Sequence, residues 1–162
     1  MKNRALCIAL LTVSCFATAL EPLHRGDYQQ VLDQQPRPLL VVLWSVDCPP
    51  CYDELAALGR LHQEGETLPV VLINTDTRRS SDEVTATLQQ HNTDALPNYQ
   101  FADPVPARQR REIDPNWYGE LPRSYLIEED STQGHSGALT EQRLRDWLKA
   151  LPSHNRESVR RF

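Results

Sequence analysis

The hydrophobic pattern contains two long apolar runs, Leu39–Trp44 (LLVVLW) and Leu68–Asn74 (LPVVLIN). Both are continuous rather than alternating, and both have the length of a strand. Continuous apolar runs are typical of strands that are covered on both faces of a sheet. We therefore predict that these two segments lie in the middle of a β-sheet.

Helical periodicity separates and follows these runs. The capping signals are Ser80 with Glu83, which fit a capping box, and Thr140, which precedes an apolar stripe. Helices are predicted over Asp27–Gln34, Pro49 to about Glu64, Ser81 to about His91, Ala107–Ile113, and from Thr140 to Leu151.

Three further strands are predicted in the second half of the chain. The first is Tyr99–Asp103, and Arg123–Glu129 and Thr132–Ala138 follow it. The last two are separated by too few residues for a crossover helix, so they should pair antiparallel. The earlier alternation of strand and helix predicts right-handed crossovers and a parallel core.

The first 19 residues have the pattern of a secretory signal peptide. Lys2 and Arg4 precede an apolar segment, and the small residues that end at Ala19 fit a cleavage site. A retained membrane anchor and a lipoprotein site at Cys15 are alternative interpretations. The apolar segment is shorter than the roughly 20 residues that a bilayer requires.

Cleavage changes both the charge and the cysteine content. Of the four cysteines, Cys48 and Cys51 alone would remain, and the loss of Lys2 and Arg4 would leave 15 basic residues against 22 acidic ones, moving the formal net charge from -5 to -7. A net negative charge disfavours nucleic acid and anionic membranes as main partners. At 162 residues the chain has room for one domain, predicted over residues 20–152, with a flexible polar tail at 153–162.

The remaining cysteines form a Cys-Pro-Pro-Cys motif between a predicted strand and a predicted helix. Unpaired N–H groups and the helix dipole at such a junction stabilise a thiolate on the first cysteine. Cys48 is therefore the predicted attacking thiol and Cys51 the resolving one. Pro49 and Pro50 suit a first helical turn, where a backbone N–H is not needed.

Two other roles for the pair remain open. A zinc site needs about four ligands, whereas the histidines are scattered without paired spacing. A purely structural disulfide would close so small a loop that its entropic contribution to stability would be slight.

The motifs VVLWSVDCPPCYDEL, LPRSYLI and the closing GAL resemble the thioredoxin superfamily, and within it the extracytoplasmic TlpA/ResA-like thiol–disulfide oxidoreductases. The resemblance covers roughly Asp27 to Leu151. It implies an α/β fold in three layers, in which helices flank a central mixed β-sheet and a small strand–helix insertion precedes a cis-proline.

The resemblance also assigns roles to individual residues. It implies that Cys48 and Cys51 form the redox disulfide and that Glu54 assists proton movement between the thiols; a solvated helix acid is the alternative for Glu54. By family analogy, Pro122 is the cis-proline opposite the dithiol, and Leu121 offers backbone hydrogen bonds to an incoming peptide. Trp44, Asp47 and Arg123 are further predicted substrate-docking residues.

Two positions depart from the family pattern. Asp47 stands where the family usually has tryptophan, and Val42 stands where many thioredoxins have a buried acid. A negative charge beside Cys48 should raise the pKa of its thiol and place the couple toward the reducing end. We also hypothesise that Asp47 and Arg123 pair or together form a charged docking surface. Trp117 and Tyr118 could supply an aromatic partner contact, although Trp117 could equally belong to the core.

The sequence therefore predicts a periplasmic, monomeric reductase of protein disulfides that needs no cofactor and no metal. By resemblance, its electron donor would be a membrane thiol transporter of the DsbD/CcdA type. Two alternatives remain. One is a metal-handling partner that reduces or loads a copper-site protein, since Cu(I) favours thiolates. The other is a redox-inactive binding module with the same fold.

Overall fold

The computed structural model describes residues 19–151. The predicted signal peptide, apart from Ala19, and the predicted tail lie outside these residues. Within residues 19–151, no helix is both long enough and apolar enough to cross a membrane.

Six strands form one mixed sheet in the order β1-β4-β3-β2-β5-β6. Strands β1, β4, β3 and β2 pair in parallel, whereas β2 with β5 and β5 with β6 are antiparallel. The predicted mixed sheet with a parallel core is confirmed. The strands are β1 (Glu21–Leu23), β2 (Leu39–Trp44), β3 (Val70–Asn74), β4 (Asn98–Phe101), β5 (Arg123–Ile127) and β6 (Thr132–Ser136).

The helices begin where the capping signals predict. Ser80 and Glu83 form the reciprocal capping box, and the Thr140 hydroxyl accepts a hydrogen bond from the Arg143 backbone. The helices are α1 (Tyr28–Asp33), α2 (Pro49–Gln63), α3 (Ser81–Gln90), α4 (Pro106–Ile113) and α5 (Glu141–Ala150).

Both faces of the sheet are covered. Strand β2 is buried along its whole length, and its side chains alternate between the two faces. Leu40, Val42 and Trp44 belong to a core cluster with α2, α3 and α5. Leu39 and Val41 belong to a second cluster, which includes residues of α1 and against which Ile113 of α4 packs. This is the predicted three-layer arrangement.

One element was not predicted from the sequence. Strand β1 has three residues, of which only Leu23 is buried, so it carries no detectable periodicity. It forms because Glu21–Leu23 pairs in register with Tyr99–Phe101 at the edge of the sheet. The five predicted strands are all present. Strand β2 has the predicted limits, and β3 begins two residues later than predicted. Strand β4 begins one residue earlier and ends two residues earlier, and β5 and β6 begin where predicted and end two residues earlier.

Helix α2 packs closely against the end of α3. A Cβ on Gly59 would lie 1.8 Å from the backbone oxygen of His91, so no larger residue fits without movement. Near the start of the same helix, the Tyr52 ring stacks on His91 with centroids 5.1 Å apart. These contacts fix the helix that carries the cysteine pair.

Candidate active site

The cysteine pair lies at the end of the sheet where β2 passes into α2. Cys48 is the N-cap residue of α2, and Pro49 and Pro50 form its first turn. The two cysteines are joined by a disulfide, with Cα atoms 5.3 Å apart. Cys48 is 7% exposed and Cys51 1% exposed, so an incoming thiol or disulfide has better access to the Cys48 sulfur. The assignment of Cys48 as the attacking thiol and Cys51 as the resolving one stays a prediction.

The loop before Cys48 is held by Asp76, which follows β3. The Asp76 carboxylate accepts hydrogen bonds from the Ser45 hydroxyl at 2.7 Å, the Val46 backbone at 2.8 Å and the Asn74 amide at 3.1 Å. The Ser45 hydroxyl in turn accepts from the Asp47 backbone at 3.0 Å. The position of the nucleophile therefore depends on the loop between β3 and α3.

Asp47 is exposed at the rim of the site, and its partner is Arg79. The two side chains are joined by a short ion pair, and Arg79 also contacts Glu83 at 3.1 Å. The hypothesis that Asp47 pairs with Arg123 is wrong: the loop after β3 brings Arg79 to Asp47 instead. Because a cation offsets its charge, Asp47 should perturb the Cys48 thiol less than the sequence implied.

Arg123 lies at the start of β5 and points to the other side of the sheet. It contacts Asp114 at 3.2 Å and the Ser136 hydroxyl at 2.7 Å, and its guanidinium lies 4.8 Å from the centre of the Tyr125 ring. Its side chain is 17% exposed, so it supports this edge of the sheet more than it offers a docking charge.

Glu54 is fully buried one turn after Cys51. Residues three apart on a helix lie on the same side, so the carboxyl group is beneath the resolving cysteine. The Ser124 hydroxyl donates to Glu54 Oε1 at 2.8 Å, while Oε2 has no partner of good hydrogen-bond geometry within residues 19–151. Burial raises the pKa of Glu54 to about 7, against smaller lowering effects of Ser124 and the Leu139 backbone N–H. The alternative of a solvated helix acid is therefore wrong.

Pro122 follows a cis peptide bond, as the resemblance implied. Strand β5 starts immediately after it and runs antiparallel to β2, with Arg123 opposite Leu43. Pro122 therefore lies at the same end of the sheet as the cysteine pair. Leu121 is partly buried against both core clusters, one of which contains Cys48 and Cys51.

The aromatic residues predicted to contact partners differ in exposure. Trp44 is 1% exposed, so the expectation that it docks substrate is wrong: as the last residue of a buried strand it packs in the core. Trp117 is 3% exposed and donates to the Glu120 backbone, which settles its role as a core residue. Tyr118 is 90% exposed, in the loop that leads to the cis-proline.

Sequence reasoning missed Ser124, Asp76 and Arg79. Ser124 lies in a predicted strand, where side chains alternate between the two faces of the sheet. The alternation that puts Ser124 on the same face as α2 was the available signal. Asp76 directly follows a buried strand, a place where polar side chains often support a site. For Arg79, the sequence offered no signal beyond its charge.

Among residues 19–151, no three His, Cys, Asp or Glu side chains form a group that could hold a metal ion. The cysteine pair therefore has no third metal-binding side chain of these types within the described part of the chain.

The order and pairing of the strands, the cysteine pair at the start of α2 and the cis-proline opposite it define a thioredoxin-like fold. No protein-family model and no curated protein matches the sequence. The solved structures that resemble it confirm the fold.

One of them is a secreted Mycobacterium tuberculosis disulfide oxidoreductase homologous to E. coli DsbE, at 19% identity and a TM-score of 0.53, covering 74% of this chain and 86% of that one. Another is a thioredoxin-related protein from Neisseria meningitidis serogroup B, at 23% identity and a TM-score of 0.55, covering 73% and 87%. A third is a thiol:disulfide interchange protein of the thioredoxin family from Chlorobium tepidum, at 16% identity and a TM-score of 0.52, covering 68% and 77%.

Proposed function

We propose that the protein is a thiol–disulfide oxidoreductase that reduces disulfides in other proteins. The observation that carries this proposal is the combination of a Cys48–Cys51 disulfide at a helix N-terminus with a buried acid one turn away. A structural staple would not need Glu54, whose burial is energetically costly unless the carboxyl group has a use.

The reaction follows from the positions of the two thiols. In the reduced protein, the Cys48 thiolate attacks a substrate disulfide, and one substrate sulfur leaves as a thiol. Cys51 then loses its proton to Glu54 and attacks the Cys48 sulfur, which releases the second substrate thiol and closes the Cys48–Cys51 bond. A pKa of about 7 lets Glu54 act as a general base near neutral pH.

Further parts of the proposal rest on the sequence and on the resemblance to the TlpA/ResA-like branch. The N-terminal pattern supports export to a periplasm. We propose a monomer as the working form. Continued reduction in an oxidising compartment needs a donor, for which we propose a membrane thiol transporter of the DsbD/CcdA type. A measured potential near about -120 mV, typical of strong periplasmic oxidants, would contradict the reducing direction.

The Cys51→Ser variant tests the proposed function. Without the resolving thiol, the mixed disulfide cannot be released, so we expect substrate proteins to stay covalently linked to Cys48. The linkage should disappear on reduction with dithiothreitol. The double variant Cys48→Ser, Cys51→Ser is the matched control and should trap nothing.

Cysteine variants also separate the other candidates. A redox-inactive binding module would give no covalent complexes with either variant. A metal-handling protein would retain a soft metal such as Cu(I) at a fixed ratio when reduced, and would lose it in Cys48→Ser. Complexes trapped on Cys51→Ser would also identify the substrates.

A further inference from the structure

Glu54 needs a path for protons, because it has no contact with solvent. It is 0% exposed, and the cysteine pair that it serves is closed as a disulfide, with Cys51 1% and Cys48 7% exposed. Each catalytic cycle in the proposed function delivers one proton to this carboxyl group and removes it again. The proton must therefore pass either beneath the cysteines or through the other side of the site.

A groove between α5 and the sheet lies beyond Ser124, the hydrogen-bond partner of Glu54. Ser124, which donates to Glu54 Oε1, is one of the residues that line this groove. The groove has a volume of about 290 Å³, which is room for several water molecules. Leu40, Leu139 and Trp147 form apolar parts of its wall.

His135 lies in the same groove, directly across the strand pair from Ser124. The two residues are register partners of β5 and β6, so their side chains stand on the same face with Cβ atoms roughly 5 Å apart. His135 is partly exposed, whereas Ser124 is 1% exposed, so the imidazole is the member of this pair that solvent reaches. The groove thus contains a hydroxyl that contacts Glu54 and an imidazole that contacts water.

The charges around His135 suit a residue that passes protons on. Arg143 of α5 lies 3.5 Å from the ring, and Arg123, on the opposite face of the sheet, adds a weaker electrostatic effect. Burial and these two cations lower the pKa of His135. A neutral imidazole accepts a proton at one nitrogen and donates one from the other, and the neighbouring cations favour rapid release to water.

We propose that Ser124 and His135 form the route by which protons move between Glu54 and solvent, and that this route supports the thiol–disulfide exchange proposed above. In the outward direction, protonated Glu54 donates to Ser124 Oγ while the serine proton passes to His135 or to a groove water. The imidazolium then releases its proton to bulk solvent. The carboxylate, the hydroxyl and the neutral imidazole are restored, so no other reactant is consumed.

The test follows protonation of Glu54 directly in the oxidised protein. After a light-triggered pH jump, time-resolved infrared spectroscopy records the carboxylic acid stretch of Glu54, which is assigned as the band that Glu54→Gln removes. We expect Ser124→Ala and His135→Gln each to slow this protonation at least about tenfold. Each rate is measured at the pH at which Glu54 is half protonated in that variant. Imidazole in solution should restore the rate of His135→Gln.

Two matched variants distinguish a proton route from a change in packing. Gln133→Ala alters the same groove without removing a proton carrier and should keep the original rate. Ser124→Thr keeps the hydroxyl and should be close to the original rate, so it also controls for the fold of the buried Ser124→Ala variant.

Equal rates in all variants would overturn the proposal and show that protons enter past the cysteine pair. The measurement does not require exchange activity. A failure of the Cys51→Ser trapping experiment would therefore contradict the proposed function, whereas a failure of the infrared experiment would contradict only the proton route.

Discussion

Two acids flank the cysteine pair, and their environments are opposite. Asp47 precedes Cys48; its side chain is 66% exposed and paired with Arg79. Glu54 follows Cys51 by three residues and is 0% exposed, and its pKa rises to about 7 through burial. The acid closest to the nucleophile in sequence is therefore screened by water and a cation, whereas the more distant one acts in a medium of low dielectric. Burial, more than sequence distance, decides which carboxyl group can take part in the chemistry.

The largest test of this contrast is the dependence of stability on pH. Glu54 binds its proton more tightly in the folded chain, with a pKa of about 7, than at the unfolded reference of 4.5. The unfolded chain thus ionises first as pH rises. Between pH 4.5 and about 7, Glu54 should lower the free energy of unfolding by on the order of 3 kcal/mol, and the loss should persist above pH 7. Urea unfolding of the oxidised protein at pH 5 and pH 8 measures it.

Two variants isolate the contribution of Glu54. Glu54→Gln cannot ionise, so its free energy of unfolding should lack this fall with pH. Asp53→Asn removes the neighbouring exposed acid of α2 and should retain it. If Glu54→Gln kept the same fall, the contrast between the two acids would be lost.

A smaller effect is expected at Asp76, which follows β3 and accepts hydrogen bonds from the loop that precedes Cys48. Asp76→Ala leaves the donors of Ser45 and Val46 without their acceptor. We expect the free energy of unfolding to fall by about 2 kcal/mol. Asp76→Asn keeps one acceptor oxygen and should lose less. Equal losses in the two variants would show that the carboxylate does not hold the loop through these bonds.

Much of the fold could be predicted because its signals are local. The buried strand Leu39–Trp44 is a continuous apolar run, and capping residues mark the starts of α3 and α5. Cys48 and Cys51 are adjacent to both signals, so their place at a strand–helix junction followed directly. The short strand Glu21–Leu23 could not be predicted, because its pairing with β4 lies about 80 residues away in sequence.

The support around the site depends on tertiary contacts that no local pattern encodes. Ser124 reaches Glu54 because the antiparallel register places it opposite Val42, on the face that α2 covers. Arg79 reaches Asp47 because the loop after β3 turns toward the start of α2. Asp47 and Arg123 were expected to meet across the groove, yet Arg123 points to the opposite face of the sheet and binds Asp114.

The smallest expected effect lies at the rim, where the Asp47–Arg79 pair is exposed. Asp47→Asn leaves Arg79 to stabilise the Cys48 thiolate and should make the couple more oxidising, whereas Arg79→Gln leaves Asp47 unbalanced and should make it more reducing. Because both side chains are in water, each change should alter the equilibrium constant with glutathione by less than about fivefold. The double variant should return close to the original value, and 1 M salt should reduce both single effects. If Asp47→Asn changed the equilibrium constant with glutathione more than Glu54→Gln does, proximity to the nucleophile would outweigh burial in this site.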